Sequence, residues 1–164
     1  MVFLVECKPE RILVKTLTST ANRNIIHSGG KSNVIIDLAK RYEDSKGVVD
    51  EDPGNLTPRS FQRFREVNSF EEHSLKILLD KERKNHLVIL RPRLEEWILK
   101  AAKESRVNVK KYGLPDDPLR LHDIINVNTD RFEELIEGLK RSKQLTLLRE
   151  ILTSYPITEK KDTS

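Results

Sequence analysis

A chain of 164 residues, 37% hydrophobic and 34% charged, is long enough for one domain with a buried core and carries a heavily charged surface. A single cysteine, Cys7, excludes an internal disulfide and favours a reducing, cytoplasmic setting. No run approaches the ~20 apolar residues of a membrane span, and the first apolar run, residues 1–5, is too short for a signal peptide, so no membrane partner is expected.

Residues 2–5 form a short, continuous apolar run, as a buried parallel strand should, and it stops at Glu6. Pro9 suits the first turn of a helix whose apolar positions are Ile12, Leu13 and Leu17. A second brief strand is predicted at 24–26. The turn His27-Ser28-Gly29-Gly30 follows, then a helix with Val34, Ile35, Leu38 and Ala39 on one face. A third strand at 47–49 ends in Asp50-Glu51-Asp52. Strands alternating with helices at this tempo predict βαβ units and a mostly parallel central sheet flanked by helices.

Pro53-Gly54-Asn55 then breaks the chain, and Thr57-Pro58 predicts a short helix over 58–66. Strands are expected at 75–79, where a helix fits equally well, and at 86–90. Pro92 opens a helix reaching about residue 104, with Leu94, Trp97, Ile98, Ala101 and Ala102 as its apolar stripe. Helical segments are predicted near 117–126, 129–140 and 142–153. The expected organisation is an α/β domain over 1–105, a helical C-terminal extension packed on it over 106–155, and a flexible tail at 156–164.

A carboxylate at the end of a strand sits on the lip of the sheet, where open α/β folds bind ligands. Glu6, Asp50 and Asp52 are therefore candidate ligands for Mg²⁺ or Mn²⁺. In an extended segment Asp50 and Asp52 face the same side, and Glu51 faces away. Glu6 can complete the shell or act as a general acid or base. Residues 81–111 hold ten Lys/Arg against four Glu in a chain of net charge +4, as either a phosphate grip or a solvated helix face. The expected phosphate contacts are Lys8, Gly29, Gly30, Lys31, Arg91 and Arg93. Gly29-Gly30-Lys31-Ser32 is not a full phosphate loop, because Ile25 stands where that motif needs glycine. A short glycine turn ahead of a helix can still present N–H groups to an anion. The four histidines (27, 73, 86 and 122) lack zinc spacing.

These pieces together resemble the TOPRIM domain of topoisomerases, primases and OLD-family nucleases. The matching residues are Phe3-Leu4-Val5-Glu6, Ser28-Gly29-Gly30 and Val48-Val49-Asp50-Glu51-Asp52. Pro92-Arg93-Leu94-Glu95-Glu96-Trp97-Ile98-Leu99 is similar to the Pro-x-Phe-Glu-x-Trp-Leu-Leu signature of RloB-like TOPRIM proteins, with Leu94 in place of the phenylalanine. The resemblance implies a Rossmann-like, TOPRIM-like fold and Mg²⁺-dependent hydrolysis of phosphodiesters in nucleic acid. It implies Glu6 as the general acid/base, Asp50 and Asp52 as metal ligands, and Glu95 as a further acidic residue at the site. It also admits a separate ATPase partner protein, which some TOPRIM nucleases have. The alternative is a module that binds nucleic acid or a partner protein without turnover. On an ideal helix Glu95 lies ~100° from Leu94, at the edge of the apolar stripe, and Glu96 lies on the solvent side. Trp97 reads as a core anchor.

Overall fold

The computed structural model describes residues 1–154. The tail expected over 156–164 lies outside the described residues. Six strands form one sheet in the order β2-β1-β3-β6-β5-β4. They are β1 (Phe3–Val5), β2 (Ile25–His27), β3 (Lys46–Asp50), β4 (Arg65–Phe70), β5 (Leu75–Asp80) and β6 (Asn85–Leu90). The helices are α1 (Lys8–Thr18), α2 (Lys31–Lys40), α3 (Leu94–Glu104), α4 (Pro118–Ile125), α5 (Thr129–Leu139) and α6 (Lys143–Ser154). The neighbours β2, β1, β3 and β6 pair in parallel, and β6-β5-β4 is antiparallel. The sheet is thus mixed, and parallel in the part that carries the βαβ units.

Side-chain alternation along the strands splits the core into two layers. Phe3, Val5, Val48, Val88 and Leu90 face α1, α3 and the C-terminal helices. Leu4, Val49, Leu87 and Ile89 face Val34, Ile35 and Leu38 of α2. With α1 and α2 on opposite faces, the chain winds outward in two directions from β1. The carboxyl ends of β1 and β3 then lie side by side, which is where such sheets place ligands.

Trp97 is fully buried, and its indole N–H donates to the His73 carbonyl at 2.9 Å, so it is the core anchor expected from the stripe. Gly47 marks the closest approach of β3 to α2. A Cβ there would lie 2.8 Å from Leu38 Cδ1 and 2.8 Å from Val34 Cγ1. Gly47→Ala should therefore cost about 1–3 kcal/mol by overpacking, read as a lowered denaturation midpoint with unchanged slope.

The short helix expected over 58–66 is a 3₁₀ helix confined to Arg59–Arg63, and it ends before the edge strand β4 at Arg65. Pro58 makes no side-chain cap, and Phe64 turns inward onto the α2 face instead of continuing a helical stripe. Residues 75–80 settle as strand, held on both sides by β4 and β6.

Candidate metal centre

Glu6 follows β1 directly and Asp50 closes β3, so the parallel register Val5↔Val48 brings both to one edge. The Asp50 backbone N–H donates to Glu6 Oε2 at 2.8 Å. Asp50 Oδ1 accepts the N–H of Leu94, the first residue of α3, at 3.0 Å. This bond quiets one unpaired donor at the helix start and fixes the carboxylate. Glu10 enters from the first turn of α1. It is only 2% exposed and accepts a hydrogen bond from the Cys7 thiol. One oxygen from each of Glu6, Glu10 and Asp50 lies within 4.8 Å of the other two. This largely buried acidic cluster could hold a metal ion.

Burial and mutual repulsion disfavour charge here. Burial is the first cause of the rise at Asp50, and Glu10, Glu6 and Glu95 add to it, pushing its pKa up to about 9. Glu10 is pushed up to about 7, again mainly by burial, with Glu6 and Glu95 contributing. Burial also raises Glu6, while the Asp50 N–H and Lys31 pull the other way. A divalent cation would remove this penalty, and an all-oxygen set suits a hard ion.

Glu95 lies within electrostatic reach of Asp50 and Glu10. It is 6% exposed, and its Oε1 lies 2.7 Å from His122 Nδ1 on α4. Asp52 does not share a cation with Asp50 in the way strand alternation predicts. The strand stops at Asp50, and Asp52 adopts a left-handed conformation (φ 46°) that redirects its side chain. Its carboxylate meets Arg93 Nε at 3.1 Å and the Asn55 amide. It remains close enough to raise Glu6.

A cleft of about 350 Å³ opens over Glu6, lined among others by Gly29, Gly30, Lys31, Asp52 and Leu56. Gly29 and Gly30 have φ of 81° and 137°, a shape that glycine adopts without strain. Lys31 Nζ donates to the Glu51 carbonyl across the cleft. The expected phosphate contacts therefore divide. Gly29, Gly30 and Lys31 line the cleft beside Glu6, and Lys8 is exposed at the start of α1. Arg91 is paired with Glu51 at 2.7 Å, and Arg93 with Asp52 and Glu96. Glu51 is thus an ion-pair partner beside the site, and Glu96 is only one-third exposed. The basic window is also not one strip. Lys81, Arg83 and Lys84 fall in the β5–β6 turn, at the sheet end opposite Asp50.

Glu10 and His122 escaped the sequence reading. Glu10 did leave a signal: with Leu13, Val14 and Leu17 it completes an i, i+3, i+4, i+7 stripe, which puts a carboxylate on a buried face. His122 left none, because only the packing of α4 on α3 brings it to Glu95.

No family model matches the chain, and neither a curated protein nor a solved structure shows significant similarity to it. Likeness to TOPRIM proteins accordingly rests on the motif residues themselves.

Proposed function

We propose that the protein is a TOPRIM-like, divalent-metal-dependent nuclease. The observation that carries this reading is the convergence of Glu6, Glu10 and Asp50 at the carboxyl ends of adjacent parallel strands, with Glu95 within electrostatic reach. Mg²⁺ or Mn²⁺ held in this cluster through Asp50 and Glu10 would neutralise charge on a phosphoryl oxygen and polarise a water. Asp50, fixed by the Leu94 N–H, anchors the ion. Glu6 faces the cleft and takes the proton of the attacking water. The Gly29-Gly30 turn and Lys31 receive the flanking phosphate of a nucleic-acid strand.

Cleavage of a panel of single- and double-stranded DNA and RNA with Mg²⁺, Mn²⁺ or chelator tests this reading. Metal-dependent cleavage that falls about 10²–10⁴-fold in Glu6→Gln supports it. Salt-sensitive binding that ignores chelator, with no cleavage of any substrate, would replace it with the non-catalytic binding module.

A further inference from the structure

We propose that His122 is the proton donor to the leaving-group oxygen, held in place by Glu95, so that the helical extension completes the active site. This inference rests on the nuclease reading above. A buried carboxylate against one nitrogen of a solvent-facing imidazole is a recurrent way to orient a proton-transfer histidine. Here Glu95 is buried, its Oε1 lies 2.7 Å from Nδ1, and the His122 side chain is 60% exposed. Glu95 also lies near enough to Asp50 and Glu10 to act on both electrostatically. Glu95 thus links the ring to the carboxylate cluster, and the ring is not one of the three candidate ligands.

The neighbouring groups are committed elsewhere. Lys31 Nζ is held by the Glu51 carbonyl and assigned to the flanking phosphate, and the Cys7 thiol is spent on Glu10. Arg91 and Arg93 are ion-paired, and a guanidinium does not release its proton.

The step balances as follows. Water oxygen forms a new bond to phosphorus and gives its proton to Glu6. The bond from phosphorus to the leaving oxygen breaks, and its electron pair stays on that oxygen. His122, starting as imidazolium, transfers its Nε2 proton there and ends neutral, with Nδ1–H still on Glu95. Solvent reloads Nε2 through the exposed side of the ring.

Single-turnover cleavage in Mg²⁺ tests the assignment, with all-oxygen substrate and with substrate carrying a bridging sulfur at the leaving position. A thiolate leaves without a proton donor. Wild type, His122→Gln, His122→Ala, Glu95→Gln and Lys8→Ala are compared, and Mn²⁺ binding to each is titrated. His122→Gln should slow the oxygen substrate about 10²–10³-fold and the sulfur substrate less than about tenfold, with Mn²⁺ affinity unchanged. Glu95→Gln, as a positioning change, should show the same selectivity for oxygen. Equal slowing on both substrates, no slowing, lost Mn²⁺ binding in His122→Gln, or oxygen-selective loss in Lys8→Ala alone would each overturn the assignment. A wild-type protein that cleaves nothing removes the nuclease reading and this inference with it. That result is distinct, because the failure then shows before any variant is made.

Discussion

Asp50→Asn should abolish the response to divalent metal while leaving the metal-free protein at least as stable as wild type. Asn keeps an oxygen for the Leu94 N–H, so the anchoring of α3 survives. Burial and three neighbouring carboxylates hold the folded Asp50 protonated near neutral pH, and the neutral amide removes the cost of taking up that proton on folding. A candidate metal ligand and a proton taken up on folding thus disappear in one change. Mn²⁺ affinity should fall at least about 10–100-fold, the loss seen when even a supporting group of a metal site is removed. The melting temperature of wild type should rise with Mn²⁺, as expected for an ion that binds only the folded state, and that of Asp50→Asn should not. Calorimetric titration with thermal melts in metal and in chelator reads both effects. A variant that is strongly destabilised in chelator would mean that Asp50 serves α3 alone.

In chelator, wild-type stability should fall as the pH rises from about 6.5 to about 8. Asp50 and Glu10 have folded pKa values above their unfolded ones, raised to about 9 and about 7. The folded state therefore binds more protons in this window, and the stability these groups contribute is lost as pH climbs through the folded values. One proton corresponds to about 1.4 kcal/mol per pH unit, so Asp50 alone accounts for a loss of about 2 kcal/mol across the window. His86, lowered to about 4 mainly by burial, contributes in the opposite sense, chiefly below this range and fading through its acid edge. Lys46 is lowered by burial to about 8, and its contribution runs the opposite way at higher pH. Denaturant curves at the two pH values give the slope. Asp50→Asn should flatten it, and saturating Mg²⁺ should flatten it in wild type. An equal slope in wild type and variant would contradict this origin.

How far the chain announced itself depends on which faces each element buries. β1, β3 and β6 are covered on both sides, so their apolar runs stand out in the sequence. The stripes of α2 and α3 were legible for the same reason. β4 was not, because an edge strand whose residues lie mostly in solvent carries no run and no clean alternation. Glu6 and Asp50 were legible as acids that end strands. Strand alternation does not position Asp52, because β3 stops at Asp50 and the backbone turns left-handed at Asp52. Glu10 was hidden by habit: an acid in a first helical turn usually answers the helix dipole, whereas this one faces inward. The division of the basic window followed from the β5–β6 hairpin, which sends its turn to the far end of the sheet.

Residues 118–154 supply much of the apolar cover over α1, through Phe132, Leu135, Leu145 and Leu148, and α6 is latched to the sheet by Lys46. The Lys46 amine, buried at the start of β3, donates to the Ile151 and Leu152 carbonyls at 2.8 and 3.1 Å. The chain is made from its amino end. A nascent polypeptide that has emerged through α3 thus already owns all six strands of the sheet and Glu6, Glu10 and Asp50 of the acidic cluster. Its larger apolar layer still stands open, and Lys46 has no helix terminus to hold. His122 is missing as well. Emergence of α4 to α6 therefore closes this layer and brings His122 to Glu95 in one event, which ties the finished surroundings of the carboxylate cluster to the arrival of these helices.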